Sequence, residues 1–412
     1  MYDCIIIGGG AAGLMAAVTA ADCGKRTLLL EKNDRIGRKL LITGKGRCNV
    51  TNCCTADEFM ENIVNGGRFL YSSYSAFDCS DTMNFFEDLG VPLKVERGNR
   101  VFPVSDKAAD IAAAFERAIK APHRRELITL KTNLAADSIV TENGCIKGVM
   151  AGGSFLEAPS VLIAAGGCSY PKTGSDGFGY KLARKLGHTV TPLRPSLVPL
   201  TIKESCCGEM MGLSLKNATL SLIDEKSGKI LFSELGEMLF THFGVSGPLV
   251  LSASGHIREP KKNSYKLKID LKPGLDEKAL DNRIQRDFSE NLNKSFSNSL
   301  SKLLPSKMIG VIVRQSGISP EKKVNQISRT ERASLVRLIK GFTLTVADFR
   351  PIAEAIVTSG GVVTSEINPK TMQSKIIGGL YFAGEVIDAD AYTGGFNLQI
   401  AFSTGHAAGT AM

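Results

Sequence analysis

Two glycine turns at opposite ends of the chain leave it few folds to choose from. At the start, the apolar run 4–7 leads straight into Gly8-x-Gly10-x-x-Gly13, and residues 11–23 follow as a helix of small residues. Near the end, an apolar run after Gly379 enters Gly384 and Glu385, and Gly394-Gly395 then opens a second helix. A buried strand that feeds a glycine turn and a helix is the parallel βαβ pattern. The expected fold class is therefore α/β, with both ends of the chain in one Rossmann-like domain.

Each part of the first motif has a physical task. Gly8 permits the tight turn, Gly10 lets the backbone approach a pyrophosphate, and Gly13 lets helix and strand pack closely. The N–H groups of Ala11 and Ala12, with the helix dipole behind them, suit an anion. Glu31 ends the next strand, eighteen residues past Gly13, where its carboxylate accepts from ribose hydroxyls. Lys32 and the turn Ala165-Gly166 are expected on the same nucleotide face.

NAD and FAD share that fingerprint, and the rest of the chain separates them. Residues 37–52 are a basic, glycine-rich loop carrying Arg38, Lys39, Gly44, Gly46, Arg47, Cys48 and Asn49. The terminal element, with Gly384, Glu385, Gly395, Asn397, Leu398 and Gln399, brings a helix N-terminus to a ring. Reduced flavin carries negative charge near N1, which such a terminus stabilises. NAD dehydrogenases need no such C-terminal element. The expected cofactor is FAD, held non-covalently because no motif histidine or cysteine compels a bond.

Composition narrows the function classes. Glycine makes up 42 of 412 residues, above the usual ~7%, and concentrates in these loops. The ten cysteines form no CxxC pair of metal type, and no metal site is expected. No secretory segment precedes Tyr2 and no apolar run reaches the ~18 residues of a membrane span. A cytoplasmic protein that does not enter membranes is expected, as monomer or homodimer. Between Arg258 and Lys340 there are 19 Lys+Arg against 9 Asp+Glu, a balance of 19 − 9 = +10 that accounts for the whole net charge of +9. That stretch reads as a solvated helical surface. An anionic partner is the alternative, and nucleic acid is not expected.

Pro192, Pro195 and Pro199 mark a change of texture. Short alternating segments at 213–222 and 265–271 predict an antiparallel sheet or barrel, and basic amphipathic patterns at 276–292, 302–315 and 328–341 predict helices. The domain parse is residues 1–190 with 346–412 as the FAD domain. Residues 191–345 form an inserted substrate domain, a β-barrel with a helical part at about 275–341. Within the first domain, Ser105 is expected to cap a helix at 108–121.

The Gly8–Gly13 turn with Glu31, the 43–52 loop, the motif Thr241-His-Phe-Gly-Val-Ser-Gly-Pro248 and the 379–399 element together resemble the BaiN/YhiN-type family of bacterial NAD(P)/FAD-dependent oxidoreductases, over essentially the whole chain. The resemblance implies a two-dinucleotide-binding-type FAD domain with an inserted barrel and helical subdomain, and reductive chemistry. One branch of that family is linked to reduction of the Δ4 and Δ6 bonds of 3-oxo bile-acid intermediates, another to oxidation of aminoacetone.

The expected activity is NAD(P)H-driven reduction of a conjugated C=C bond in a small, steroid-like enone. An amine oxidase and a flavin-binding scaffold with a basic binding insert are the alternatives. With no second nucleotide fingerprint, NAD(P)H is expected to bind transiently and leave before substrate enters. Tyr392, beside Gly394-Gly395, is the candidate acid for the α-carbon, and His242 the candidate donor to the carbonyl. Cys48 and Cys53 have the spacing of a redox disulfide, but with no second nucleotide domain they read as ordinary thiols. The neighbours Cys53-Cys54 and Cys206-Cys207 read as plain buried thiols.

Overall fold

The structure is a computed structural model, and it describes residues 1–260, 264–290 and 292–412. Lys261 and Lys262 of the basic stretch lie outside the described residues. The chain divides into two compact units, Met1–Ser196 with Ile352–Met412, and Leu197–Pro351.

The first unit is built on five parallel strands in the order Leu380–Phe382, Ser160–Ile163, Cys4–Ile7, Thr27–Leu30 and Ile128–Lys131. All residues of the first strand are buried, as a sheet covered on both faces requires. The sheet therefore joins chain from the start, the middle and the end of the sequence. The first helix, Ala11–Asp22, and the last, Phe396–Ala411, pack side by side. Their contact is made by small residues. A Cβ at Gly405 would stand 2.4 Å from the Ala12 carbonyl oxygen, and one at Gly409 would stand 2.6 Å from that of Ala16. Both helices are buried nearly all round, which fits helices enclosed by their own domain.

Two local readings change. The helix expected after Ser105 spans Ala108–Lys120, with Lys107 at its N-cap and no side-chain cap. Arg47 and Lys94 hold the Asp106 carboxylate, and Asp106 takes a left-handed turn at φ 57°, which separates Ser105 from the helix. A helix at Gly67–Ala76 carried no clear sequence signal, being rich in Ser and Tyr. It forms because Leu70, Ser73 and Tyr74 share a buried face, with Tyr74 stacked on Phe59 at 3.9 Å.

His188 ties distant loops of this unit together. Its Nδ1 faces Glu366 Oε2 at 3.0 Å and its Nε2 faces Ser374 Oγ at 2.9 Å. A serine, histidine and acid in line suggest a hydrolytic triad. Ser374 Oγ, however, also accepts the N–H groups of Ile376 and Ile377 and is buried. It is a bracket for the 364–380 loop, with no free lone pair to attack a substrate.

The second unit is a closed antiparallel barrel, in the order Leu200–Ile202, Gly244–Ser246, Ile230–Thr241, Ser214–Asp224, Tyr265–Asp270 and Phe342–Phe349. Helices Glu277–Ser289, Ser306–Ser316 and Arg329–Lys340 belong to the same unit. Leu280, Ile284, Val311, Leu335 and Ile339 from these helices join the barrel residues in one core. Each helix leaves its charged face outside that core.

Candidate functional site

The glycine turn is shaped by close backbone approach. Gly8 has φ 112°, and a Cβ there would stand 2.5 Å from the Ala164 carbonyl oxygen, just before Ala165 and Gly166. A Cβ at Gly13 would stand 1.9 Å from the Gly8 carbonyl oxygen. Both positions are closed to any side chain. Gly10 is different: it is the N-cap of the first helix, makes no side-chain cap, and a Cβ there would meet nothing within 4 Å. The first N–H groups, from Ala11 and Ala12, thus open onto unfilled space. That combination of open cap and unpaired donors fits a pyrophosphate.

Glu31 stands beside this turn and braces it. One carboxylate oxygen accepts the Gly9 N–H at 2.8 Å and the other accepts the Asn33 N–H at 2.8 Å. Arg38 donates to Asn33 Oδ1 at 2.8 Å, and Lys32 pairs with Asp176 at 2.7 Å. Asn33 thus links Glu31 to Arg38 beside the turn, a role invisible in the sequence because no motif fixes it.

The 43–52 loop sends its residues to different ends. Gly44 and Gly46 lie in the tight turn Leu40–Gly46. Cys48 is buried, and burial pushes its thiol up to about 12, so it is no nucleophile. Asn49 Oδ1 is buried with no hydrogen-bond partner in the protein. An orphaned buried acceptor of this kind fits a ligand donor. Arg47 turns away from these residues. It pairs with Glu96 and Asp106 at 2.5 Å each, and its guanidinium lies 4.1 Å from the centroid of the Phe102 ring.

Lys39 pairs with Glu385 at 2.5 Å and donates to Ser169 Oγ at 2.6 Å. Glu385 also accepts from Ser169 Oγ and the Thr358 N–H, each at 2.8 Å. Burial pushes this carboxyl up, but the Lys39 charge and these hydrogen bonds more than offset it, so its pKa falls below the usual carboxylate value. Four segments meet on one charge. Ser169 and Thr358 had no sequence signal, because such long-range partners leave no pattern along the chain.

At the last helix, Gly395 is the N-cap at φ 101°, and a Cβ there would stand 2.3 Å from the Thr51 carbonyl. The cap makes no side-chain hydrogen bond, so the following N–H groups, toward Asn397 and Leu398, remain for a ligand. The side chains behind them are engaged. Asn397 bonds the Ala391 N–H and the carbonyls of Ala391 and Tyr392. Gln399, 0% exposed, accepts from Thr51 Oγ1 at 2.6 Å and donates to the Phe77 carbonyl at 3.1 Å. What this element offers a ring is backbone, with side chains as scaffolding. Gly384 adjoins it, its N–H bonded to Thr404 Oγ1 at 3.0 Å.

Of the two catalytic candidates, Tyr392 is partly buried in the first unit, three residues before the Gly395 cap. His242 is exposed on the turn between strands Ile230–Thr241 and Gly244–Ser246 of the second unit. Among the described residues no cluster of His, Cys, Asp or Glu is arranged to hold a metal ion, and no helix is long and apolar enough to cross a membrane.

Residues 2–411 match the family described as HI0933-like protein Rossmann domain. The chain is 32% identical to the 3-dehydro-bile acid delta(4,6)-reductase of Clostridium scindens, covering 98% of both proteins. It is 29% identical to the ribosomal RNA dihydrouridine synthase of Escherichia coli, covering 98% of this chain and 96% of that one. Among solved structures, the 3-ketosteroid-delta4-(5alpha)-dehydrogenase of Rhodococcus jostii aligns with a TM-score of 0.53 at 15% identity, over 100% of this chain and 96% of that one, a likeness of fold.

Proposed function

The chain belongs to the HI0933-like family of Rossmann-domain proteins, a family of FAD-dependent oxidoreductases, and from that premise we propose that it uses NADH or NADPH to saturate a C=C bond conjugated to a carbonyl. The observation that carries the reading is the pair of helix N-termini without side-chain caps, Gly10 and Gly395, in one domain. One suits a pyrophosphate and the other an electron-rich ring. FAD, when bound, supplies hydride transfer to and from carbon. Both relatives point to one bond type: the Δ4 bond of a 3-oxo steroid and the 5,6 bond of uracil are each conjugated to a carbonyl.

The protein's own part is to bind, orient and move protons. The N–H groups of Ala11 and Ala12 and the carboxylate of Glu31 hold the adenosine diphosphate portion. The first N–H groups of the last helix would hold the ring of that cofactor. Tyr392 Oη delivers a proton to the substrate α-carbon. The Lys39–Glu385 pair keeps the segments around the site in register. NAD(P)H binds transiently and departs oxidised, as NAD(P)+, before substrate enters.

The substrate we assign first is a small apolar enone of steroid type, following the relative of 32% identity. The basic stretch 258–340, with its balance of +10, favours a second reading, a uracil base within RNA. The two are separated by giving the holoprotein with NADPH either a 4-en-3-one steroid or unmodified ribosomal RNA, and measuring a gain of 2 Da by mass spectrometry. Reduced steroid at low and high salt alike supports the first. Reduced uridine, lost steeply as salt rises, supports the second. Reduction of neither, with oxygen consumed when aminoacetone is added, contradicts both.

A further inference from the structure

We propose that Arg194 and Ser359 bind the substrate's carbonyl oxygen and hold the negative charge it gains when the conjugated bond is reduced. This rests on the enone-reductase reading above, in which Tyr392 serves the α-carbon and the oxygen needs donors of its own. Strands Arg194–Ser196 and Val357–Ser359 form an antiparallel ribbon within the first unit, with Arg194 directly opposite Ser359. Opposite residues share one face of such a ribbon, their Cβ atoms about 5 Å apart. Both side chains there lack partners. Arg194 Nε and Ser359 Oγ are buried with no hydrogen bond, and Ser359 is 3% exposed. Among the described residues the Arg194 guanidinium enters no ion pair.

A buried donor without an acceptor is costly, and a guanidinium without a counter-charge more so. Two such donors at paired positions fit one ligand oxygen that carries or gains negative charge. The face they share leads to the reacting segment. Thr358, between Val357 and Ser359, points the other way, its Oγ1 accepting the Cys168 N–H at 2.8 Å. Ser196, two residues past Arg194 and so on the same face, donates from its Oγ to Asp390 Oδ2 at 2.8 Å. Asp390 begins the short strand Asp390–Ala391, which runs into Tyr392 and the Gly395 cap.

Hydride arriving at the β-carbon brings both electrons. A C–H bond forms there, the C=C π bond breaks, and the displaced pair moves through the carbonyl to leave an enolate oxygen. Arg194 Nε–H and Ser359 Oγ–H donate to that oxygen, more strongly to the enolate than to the neutral carbonyl, which lowers the barrier. The carbonyl re-forms as the α-carbon takes the Tyr392 proton, and Tyr392 regains a proton from solvent. The C=C bond is reduced by two electrons and the nicotinamide is oxidised by two.

The test is to reduce the flavin of the holoprotein anaerobically with dithionite, add a 4-en-3-one steroid and follow reoxidation as the steroid concentration rises. Arg194→Met should lower the limiting rate about 100-fold and Ser359→Ala about tenfold, with half-saturation changed less than about threefold. In parallel, 4-cyanophenol is titrated into the oxidised holoprotein, because its phenolate imitates the enolate. The wild type should bind it as phenolate, seen in the ultraviolet difference spectrum, at a pH where it is free in solution as the phenol. Arg194→Met should bind it at least about tenfold more weakly, and as the phenol. Unchanged limiting rates in both variants, a loss confined to half-saturation, or phenolate bound equally by Arg194→Met overturns the proposal. If Arg194→Met loses its flavin, Ser359→Ala decides between the same outcomes. A wild type that reduces no enone defeats the enone reading, and the pair then stands or falls on the phenolate titration.

Discussion

The helices of the two units solve the burial problem in opposite ways. The first and last helices are buried on nearly every side and meet through Ala12, Ala16, Gly405 and Gly409, where backbone touches backbone. The helices of the Leu197–Pro351 unit are amphipathic, bury one stripe against a barrel and spend their charge in pairs such as Arg332–Asp281 and Lys322–Glu331. The first arrangement brings helix N-termini close to a ligand and tolerates almost no change. The second needs only pattern, and many sequences satisfy it. Residue identity should therefore matter far more in the first unit than in the second.

The largest effect expected is at Gly13. A Cβ 1.9 Å from the Gly8 carbonyl oxygen has no room to relax, so Gly13→Val should cost more than about 4 kcal/mol and yield no folded, yellow protein. Purification of a stable flavoprotein from that variant would break the comparison. Next, Lys39→Met leaves the Glu385 carboxylate without its cation. Since the Glu385 side chain is 17% exposed, solvent softens the loss, and about 3 kcal/mol of stability is expected from denaturant melts. Gly10→Ala sharpens the contrast from within one motif. The methyl meets no protein atom, so the melting temperature should hold within ~2 °C while FAD affinity falls about tenfold, or ~1.4 kcal/mol. Equal affinity in that variant would remove the first helix from pyrophosphate binding.

Acid should weaken both units, because each holds a histidine kept neutral by burial, His188 in the first and His256 in the second. Burial lowers the pKa of His188 below 6.5, with Glu366 partly offsetting it. A group that stays neutral in the fold contributes fully above its unfolded value, and that contribution is lost as pH falls from 6.5 toward the folded value. Glu385, whose folded pKa is also lowered, adds a further loss below about 4.5. Thermal melts from pH 7.5 to 4 should thus show both units weakening below pH 6.5, with a further loss in the first below about 4.5, and melting unchanged down to pH 4 would contradict this. The smallest effect belongs to the second unit. Lys302→Ala removes an exposed pair with Glu290 and should change stability by less than about 0.5 kcal/mol.

What the sequence made legible follows the same division. The strands at 4–7 and 128–131 and the barrel strand Phe342–Phe349 were readable because continuous or alternating apolar residues have one burial solution each. The backbone half of the site, Gly8, Gly13 and Gly395, was readable because only glycine meets those contacts. Its side-chain half was not. Lys39 finds Glu385 across 346 positions and Gln399 finds Thr51 across 348, and no local pattern announces such partners. Arg47, chosen for its charge in a glycine loop, is held by Glu96 and Asp106 for the same reason: a guanidinium goes to whichever carboxylates the fold brings near. The neighbouring cysteines divide the same way: Cys206 and Cys207 are buried as read, whereas Cys53, read as buried, is exposed.

The measurement that bears most directly on the central claim is anaerobic mixing of the purified holoprotein with NADH or NADPH, followed by addition of a 4-en-3-one steroid, while the flavin absorbance is recorded. Bleaching by one nicotinamide and recovery of the absorbance on adding the enone, with one reduced steroid formed per flavin, is the predicted result. Flavin that neither nicotinamide bleaches, or that stays bleached with the enone and recovers only in air, would contradict a nicotinamide-driven reductase of conjugated double bonds.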